Sequence, residues 1–264
     1  MLRFYFEAAR AIFRRQLMYR WANIAGLLTN TFFCIIFSSV VIALYHARPV
    51  VASYHVRDTL RYTWLVQSLI MVVSPFSWIE LMQSIRTGDV VTDLSKPCDF
   101  CWYWFSREWG HSLYYLLYRG IPVYAAGMIL FSIGLPTSFS GWMAFVAFLP
   151  VSISLGIVFR FLYNVVAFWI IEARAMVAFS VNIALFLTGS FIPVPFLPAW
   201  LRDLIPWLPF NGFMNLPVQM LLSGTPGGVL WLQGGIQVIW LIVLVCIARM
   251  LTAAATRRVV VQGG

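Results

Sequence analysis

Two runs dictate what this chain can fold into: Ile24 to Tyr45 and Val229 to Ala248 contain no Asp, Glu, Lys or Arg. Each is as long as the roughly 20 apolar residues that cross a bilayer as a helix. A helix apolar on every side needs surroundings as apolar as itself, and water does not offer them. The rest of the chain follows suit. It is 61% hydrophobic and 10% charged, where a soluble domain carries about 25% charged residues. In lipid the backbone has no water to bond, so spanning segments must satisfy their own N–H and C=O groups as helices. The expected fold is an all-α integral membrane bundle built from all 264 residues.

The hydropathy pattern predicts six transmembrane helices, at about 24–45, 62–82, 111–134, 141–171, 174–192 and 229–252. Pro75 falls near the end of the second. The fourth is longer than one crossing needs and is expected to tilt, protrude or bend at Pro150. Loop cations set the orientation. Arg3, Arg10, Arg14, Arg15, Arg20, Arg86, Lys96, Arg107, Arg174, Arg249, Arg257 and Arg258 fall on one side, and Arg48, Arg57, Arg61 and Arg202 on the other. Twelve against four places both termini in the cytoplasm, and an even number of spans agrees.

Residues 1–20 are too charged to span. Leu2, Phe6, Ala9, Phe13 and Leu17 recur at roughly helical spacing, with Arg3, Arg10 and Arg14 off that stripe. The pattern is that of an amphipathic helix in the cytoplasmic interface; a soluble cap helix is the other reading. No cleavable signal peptide is expected, because the first apolar run is long enough to remain as a helix. Residues 193–228 are apolar yet interrupted by Pro193, Pro195, Pro198, Pro206, Pro209, Pro217 and Pro226. Proline excludes one long helix there. Short re-entrant helices that dip back into the outer leaflet, forming a hairpin before the last span, are expected instead.

Composition and motifs also exclude functions. The net charge of +9 comes from 17 Arg and one Lys against nine acids, and the basic residues flank apolar spans. That suits anionic lipid headgroups rather than nucleic acid. No phosphate-binding loop exists: the single lysine, Lys96, sits between Ser95 and Pro97. His46, His55 and His111 assemble no HExxH or Ser-His-Asp pattern. Cys98 and Cys101 form a lone CxxC without the second ligand pair of a structural zinc site, and Cys34 and Cys246 read as small packing residues. No metal or catalytic residue is assigned.

Three features stay open on sequence. The loop 84–105 mixes Arg86, Asp89, Asp93, Lys96 and Asp99, and reads either as a docking helix for a cytoplasmic partner or as an ordinary solvated loop. Arg119 and Arg160 lie inside apolar spans, where a cation must snorkel or face the bundle interior. Arg119 is near enough to an interface to snorkel. Arg160, with Asn164 one turn on, reads as a contact to an anionic substrate, a contact to a partner subunit, or a structural ion pair with Glu80 or Glu172.

Three stretches resemble the membrane subunit of ABC type-2 exporters: SIRTGDVVTDLSKPCDFCWYW (84–104), FLYNVVAFWIIEARAM (161–176) and GSFIPVPFLPAWLRDLIPWLPFNGFMNLPVQMLLSG (189–224). The resemblance covers almost the whole chain. It implies half of a transporter in the bacterial cytoplasmic membrane, paired with itself or a related permease, above two separately encoded ATPases. ATP and magnesium would be held by those ATPases and not by this chain. It implies that 84–105 couples to the ATPase through Arg86, Gly88, Asp89, Asp93, Leu94, Lys96, Pro97 and Asp99. It further implies an extracellular gate around Pro193, Pro195, Pro198, Trp200, Pro206, Pro209 and Phe210. The cargo classes it implies are varied: drugs, lipids or glycans. A path rich in Phe and Trp suits a hydrophobic or amphipathic cargo, and lipid-facing aromatics explain those residues equally well. A lipid-modifying membrane enzyme and a structural membrane subunit are the competing classes.

Overall fold

The computed structural model describes residues 2–51, 54–73, 79–170 and 174–257. Pro75, Glu172 and Arg258 lie outside the described residues, as does the side chain of Arg174. The described chain is helical without a β-strand; Val51 and Tyr54 form one isolated bridge. Four helical stretches are long and apolar enough to cross a membrane: Arg20–Ala47, Phe100–Phe131, Phe139–Phe168 and Gly228–Thr256. The expected second and fifth spans appear as the 18-residue helix Val56–Val73 and the 14-residue helix Arg174–Leu187.

In chain order, α1 (Leu2–Met18) precedes the first apolar helix α2 (Arg20–Ala47) and the central helix α3 (Val56–Val73). Two short helices follow, α4 (Glu80–Thr87) and α5 (Val90–Leu94). A long helical stretch then comprises α6 (Phe100–Tyr115), a π-turn (Leu116–Gly120) and α7 (Ile121–Phe131). After it come α8 (Phe139–Val165), α9 (Arg174–Leu187), the short α10 (Ala199–Leu204) and α11 (Asn215–Leu222), and the last long helix α12 (Gly228–Thr256).

Helix capping explains where the third long helix begins. Asp99 has an extended backbone and its carboxylate accepts from Trp102 N–H at 3.0 Å, so the helix starts at Phe100 rather than near His111. Further on, Pro122 has no N–H to give the Tyr118 carbonyl. The chain takes a π-turn instead, with Ile121 N–H bonded to the Leu116 carbonyl five residues back. Pro150 does not interrupt α8, which runs through it.

Packing follows the rules of lipid rather than water. Hydrocarbon solvates leucine as well as a core does, so helices associate through small residues and hydrogen bonds. The buried residues of α2 are Asn23, Cys34, Ser38 and Tyr45. Those of α12 are Gly234, Gln237, Ala248, Thr252 and Ala255. Trp21, Leu28 and Phe32 of α2 and Leu232, Ile239 and Ile242 of α12 point outward. The helix α3 is different: it is buried from Thr59 to Val73 on nearly every side. Its polar groups are used inside the bundle, where Trp64 Nε1 donates to Ser38 Oγ at 2.9 Å and the Tyr45 hydroxyl meets Thr59 Oγ1 at 2.7 Å.

The helix α1 lies along α6. Ile12 and Gln16 face inward, and Phe13 packs edge-on against Tyr114 at 5.6 Å. Gly110 permits this approach: a Cβ there would run into the Ala9 carbonyl of α1. Leu2 and Phe6 of the expected apolar stripe are exposed, while Phe13 and Leu17 join a buried cluster.

At the opposite end, the Pro-rich segment folds into short helical turns: Val194–Phe196, α10, Ile205–Trp207, Pro209–Gly212 and α11. Val194, Leu197, Leu201 and Ile205 form its own small core. Backbone carbonyls that these turns leave over find side-chain donors on α12. Gln237 Nε2 reaches Leu208 O at 3.1 Å and Pro206 O at 3.4 Å, and Trp240 Nε1 reaches Trp207 O at 2.8 Å. Tyr62 donates to Asn215 at 2.9 Å, and Asn215 to Asn211 at 2.7 Å. Replacing Gln237 by Leu leaves two carbonyls without that donor, and each unsatisfied buried group costs about 1–3 kcal/mol. Gln237→Leu is expected to lower the thermal unfolding midpoint in detergent by several degrees; an unchanged midpoint contradicts the role given to this side chain.

Candidate functional site

A cluster of charged residues lies at the end of the bundle that holds α1. Glu80, at the start of α4, accepts from Arg107 of α6 at 2.7 Å and from both terminal guanidinium nitrogens of Arg15 at 3.3 Å. One carboxylate thus joins the N-terminal helix, the short helix and a long one. Next to it, Glu108 of α6 pairs with Arg160 of α8 at 3.0 Å, with side chains 11% and 3% exposed. Arg160 also donates to the Val73 carbonyl at 2.7 Å. Asn164, one turn on, accepts from Met82 N–H at 2.9 Å and donates to the Arg160 carbonyl at 2.8 Å. Gln16 of α1 and His111 of α6 close the junction at 3.2 Å. The ion-pair reading of Arg160 is present in the structure. Its partner is Glu108, which sequence reasoning did not name. The space beside the pair is about 20 Å³, room for no more than a water.

From this junction α4 and α5 project as a bent pair. The turn between them is made by Gly88, whose φ of 84° is left-handed and open to glycine at little cost. Arg86, Gly88, Asp89 and Pro97 are exposed, whereas Val90 and Asp93 are buried and Leu94 and Lys96 partly so. The candidate coupling residues therefore divide into two groups. Lys96 bonds Asp93 at 2.6 Å and the Tyr103 hydroxyl at 2.8 Å. Burial pulls the Lys96 ammonium down, but those two bonds outweigh it and hold its pKa above the ordinary lysine value. Asp99 caps α6 and bonds Arg249 of α12 at 3.0 Å. Asp93, Lys96 and Asp99 thus fix the shape of the segment, and the exposed surface is formed by Arg86 to Asp89 together with Thr92, Ser95 and Pro97. Cys98 and Cys101 are free thiols. Burial pushes the Cys98 thiol up, away from the reactive thiolate.

Arg119 lies apart from the junction. It does not reach open solvent: it is 9% exposed, stacked over Tyr115 at 5.0 Å and turned toward α2, where it touches the Ala22 carbonyl at 3.4 Å. At the far end, Pro193, Pro195, Pro206, Pro209 and Phe210 are half-buried, while Pro198 and Trp200 are exposed. Phe210 packs edge-on against Phe159 and Phe213, each at 5.7 Å. An apolar cavity of about 540 Å³ opens between α1, α6, α8 and α12, lined by residues such as Phe6, Trp102, Trp109, Ile157 and Leu241.

A buried ion pair is expensive to break by halves, because the surviving charge is left in an apolar site at a cost of about 3–5 kcal/mol. Arg160→Met is expected to destabilise the protein by that order and to reduce its yield from membranes. Adding Glu108→Leu removes the stranded carboxylate and is expected to recover part of the loss. Thermal unfolding of both variants checks this, and a double variant less stable than Arg160→Met would contradict the pairing.

The chain as a whole shows a bundle of apolar helices, a charged junction at one end and an irregular Pro-rich cap at the other. Among curated proteins none matches the chain. A family profile does: that of the ABC-2 family transporter protein matches residues 28–263 of the 264. The chain therefore belongs to the ABC-2 transporter family and is a membrane permease component of an ABC transporter, distinct from its ATPase.

Proposed function

We propose that this permease is half of the translocation path of an ATP-driven exporter, and that α4, α5 and the following linker dock on a separately encoded ATPase. The chain crosses the membrane six times, α3 and α9 completing the set. Both termini are cytoplasmic, and α1 lies in the inner interface of a bacterial plasma membrane. A second permease, identical or related, supplies the other half, and ATP and magnesium stay with the ATPase. The Pro-rich turns before α12 form a re-entrant cap on the outer side that gates the path. The apolar cavity under α1 suits a hydrophobic or amphipathic cargo.

The observation that carries this reading is the attachment of the exposed Arg86–Asp89 surface. It sits on α4, whose first residue Glu80 is clamped by Arg15 and Arg107, next to the Glu108–Arg160 pair that reaches α8. A push on this surface reaches two long helices through charge pairs and not through a flexible loop. Nucleotide state and cargo then bias the same two arrangements of the helices.

The test separates docking from folding. Asp89→Arg reverses an exposed charge and leaves the Asp93–Lys96 bond and the Arg15–Glu80–Arg107 pairs intact. The variant is expected to reach the membrane at wild-type level but to recover at least about tenfold less ATPase on affinity purification, the factor that corresponds to 1.4 kcal/mol. Wild-type recovery of the ATPase by this variant overturns the assignment of the surface.

A further inference from the structure

At the end of the bundle away from α1, the start of α3, the loop between α7 and α8 and the end of α11 surround a cavity of about 360 Å³. Unlike the apolar cavity under α1, it is lined by charged and polar side chains, among them Asp58, Arg61, Thr137 and Gln219. Its size is that of a small-molecule pocket. Its walls are fixed by bonds behind them. In the α7–α8 loop the carbonyls of Ile133, Gly134 and Pro136 accept from Arg61 Nε at 2.6 Å, the Tyr124 hydroxyl at 2.9 Å and Trp142 Nε1 at 2.9 Å. The hydroxyls of Ser138 and Ser140 both donate to the Gly224 carbonyl, which ties that loop to the turn after α11.

The two charges in this cavity are opposite in sign, yet they do not pair. Asp58, in the first turn of α3, is drawn back to His55, whose N–H donates to one carboxylate oxygen at 3.3 Å. Arg61 is drawn to the α7–α8 loop, where the Ile133 carbonyl takes its Nε. Neither forms an ion pair with another described residue. The second carboxylate oxygen of Asp58 and the terminal nitrogens of Arg61 remain for a ligand. Gln219 adds a donor: its Oε1 accepts from the Tyr54 hydroxyl at 3.1 Å, which leaves Nε2. Asp58, Arg61 and Gln219 are each half-buried, so bonds to them are partly shielded from water. An anion or a cation alone would meet one partner and one like charge there. A molecule that carries both signs answers both side chains with charge-assisted bonds. Residues three apart on a helix hold their Cβ atoms about 5–6 Å apart, a gap that a short molecule covers.

We propose that this cavity binds a small zwitterion, its ammonium on Asp58 and its oxyanion on Arg61 and Gln219. Two sources carry that chemistry: the headgroup of an ethanolamine phospholipid, and a free solute of the same kind. The site is independent of ATPase docking. Only the side of the membrane from which the ligand arrives rests on the six-span topology.

The test uses the full chain, with any subunits that accompany it, in nanodiscs of phosphatidylglycerol, which has no ammonium. Salt is set high enough to screen the lipid charge. Phosphoethanolamine, ethanolamine and inorganic phosphate are titrated separately, and binding is followed by calorimetry. The wild type is expected to bind phosphoethanolamine at least about tenfold more tightly than either half of it, the gain of one further charge-assisted bond. Asp58→Asn keeps an oxygen for the His55 N–H, so the helix start is preserved, and it is expected to lose the preference over phosphate. Arg61→Gln is expected to lose the preference over ethanolamine, and Arg61→Lys to keep part of it. Nanodiscs half of phosphatidylethanolamine separate the sources. Weaker apparent binding of phosphoethanolamine there assigns the site to the lipid headgroup, and unchanged binding assigns it to a free solute. A wild type that binds phosphoethanolamine no more tightly than its halves overturns the site. So does an Asp58→Asn variant that keeps the wild-type preference.

Discussion

The Glu108–Arg160 pair and the Glu80 carboxylate beside it hold the α1 end of the bundle together. In lipid, van der Waals contact between apolar helices is barely better than contact with acyl chains, so the burial of leucines does not by itself fix helix positions. Charges at 3.0 Å with side chains 3% and 11% exposed do fix them, because separation would strand an ion in an apolar medium. Through Arg15 and Arg107 the same cluster binds α1 and α6 to α4. The short helices that project from it are therefore an extension of the bundle.

The two ends of the bundle use different chemistry for the same problem. Near α1, irregular backbone is anchored by ions: Asp99 with Arg249, and Asp93 with Lys96. At the Pro-rich end, neutral amides and indoles take up backbone carbonyls, as with Gln237 and Trp240, and the Tyr62–Asn215–Asn211 chain joins side chains. Neutral donors satisfy backbone groups in a low-dielectric site without the desolvation cost of a charge.

The sequence revealed those parts whose surroundings are lipid. The first and last long helices are apolar on every face and could be drawn to within a few residues. For α3 the pattern found the helix but not its start, Tyr62 expected against Val56 observed, because protein covers it from Thr59 to Val73 and its polar Thr59, Gln67 and Ser68 are buried. Glu108 was missed because the third span was started at His111. The signal was present: Asp99 three residues before Trp102 is an N-cap, and a helix from there puts Glu108 on the same stripe as Cys101, Trp104 and His111. Within residues 84–105 the charges were legible but their division was not. Only the fold separates Asp93, Lys96 and Asp99, which shape the segment, from Arg86 and Asp89, which lie on its surface.

The central claim is that force enters at the exposed turn beside Gly88 from a cytosolic ATPase. Site-specific photo-crosslinking in intact cells addresses it directly. A photoreactive residue in place of Asp89 is predicted to capture an ATPase subunit, and the same residue in place of Trp200 at the far end is predicted to capture none. Capture of the ATPase from position 200, or its absence from position 89 in cells where the complex assembles, would contradict the account.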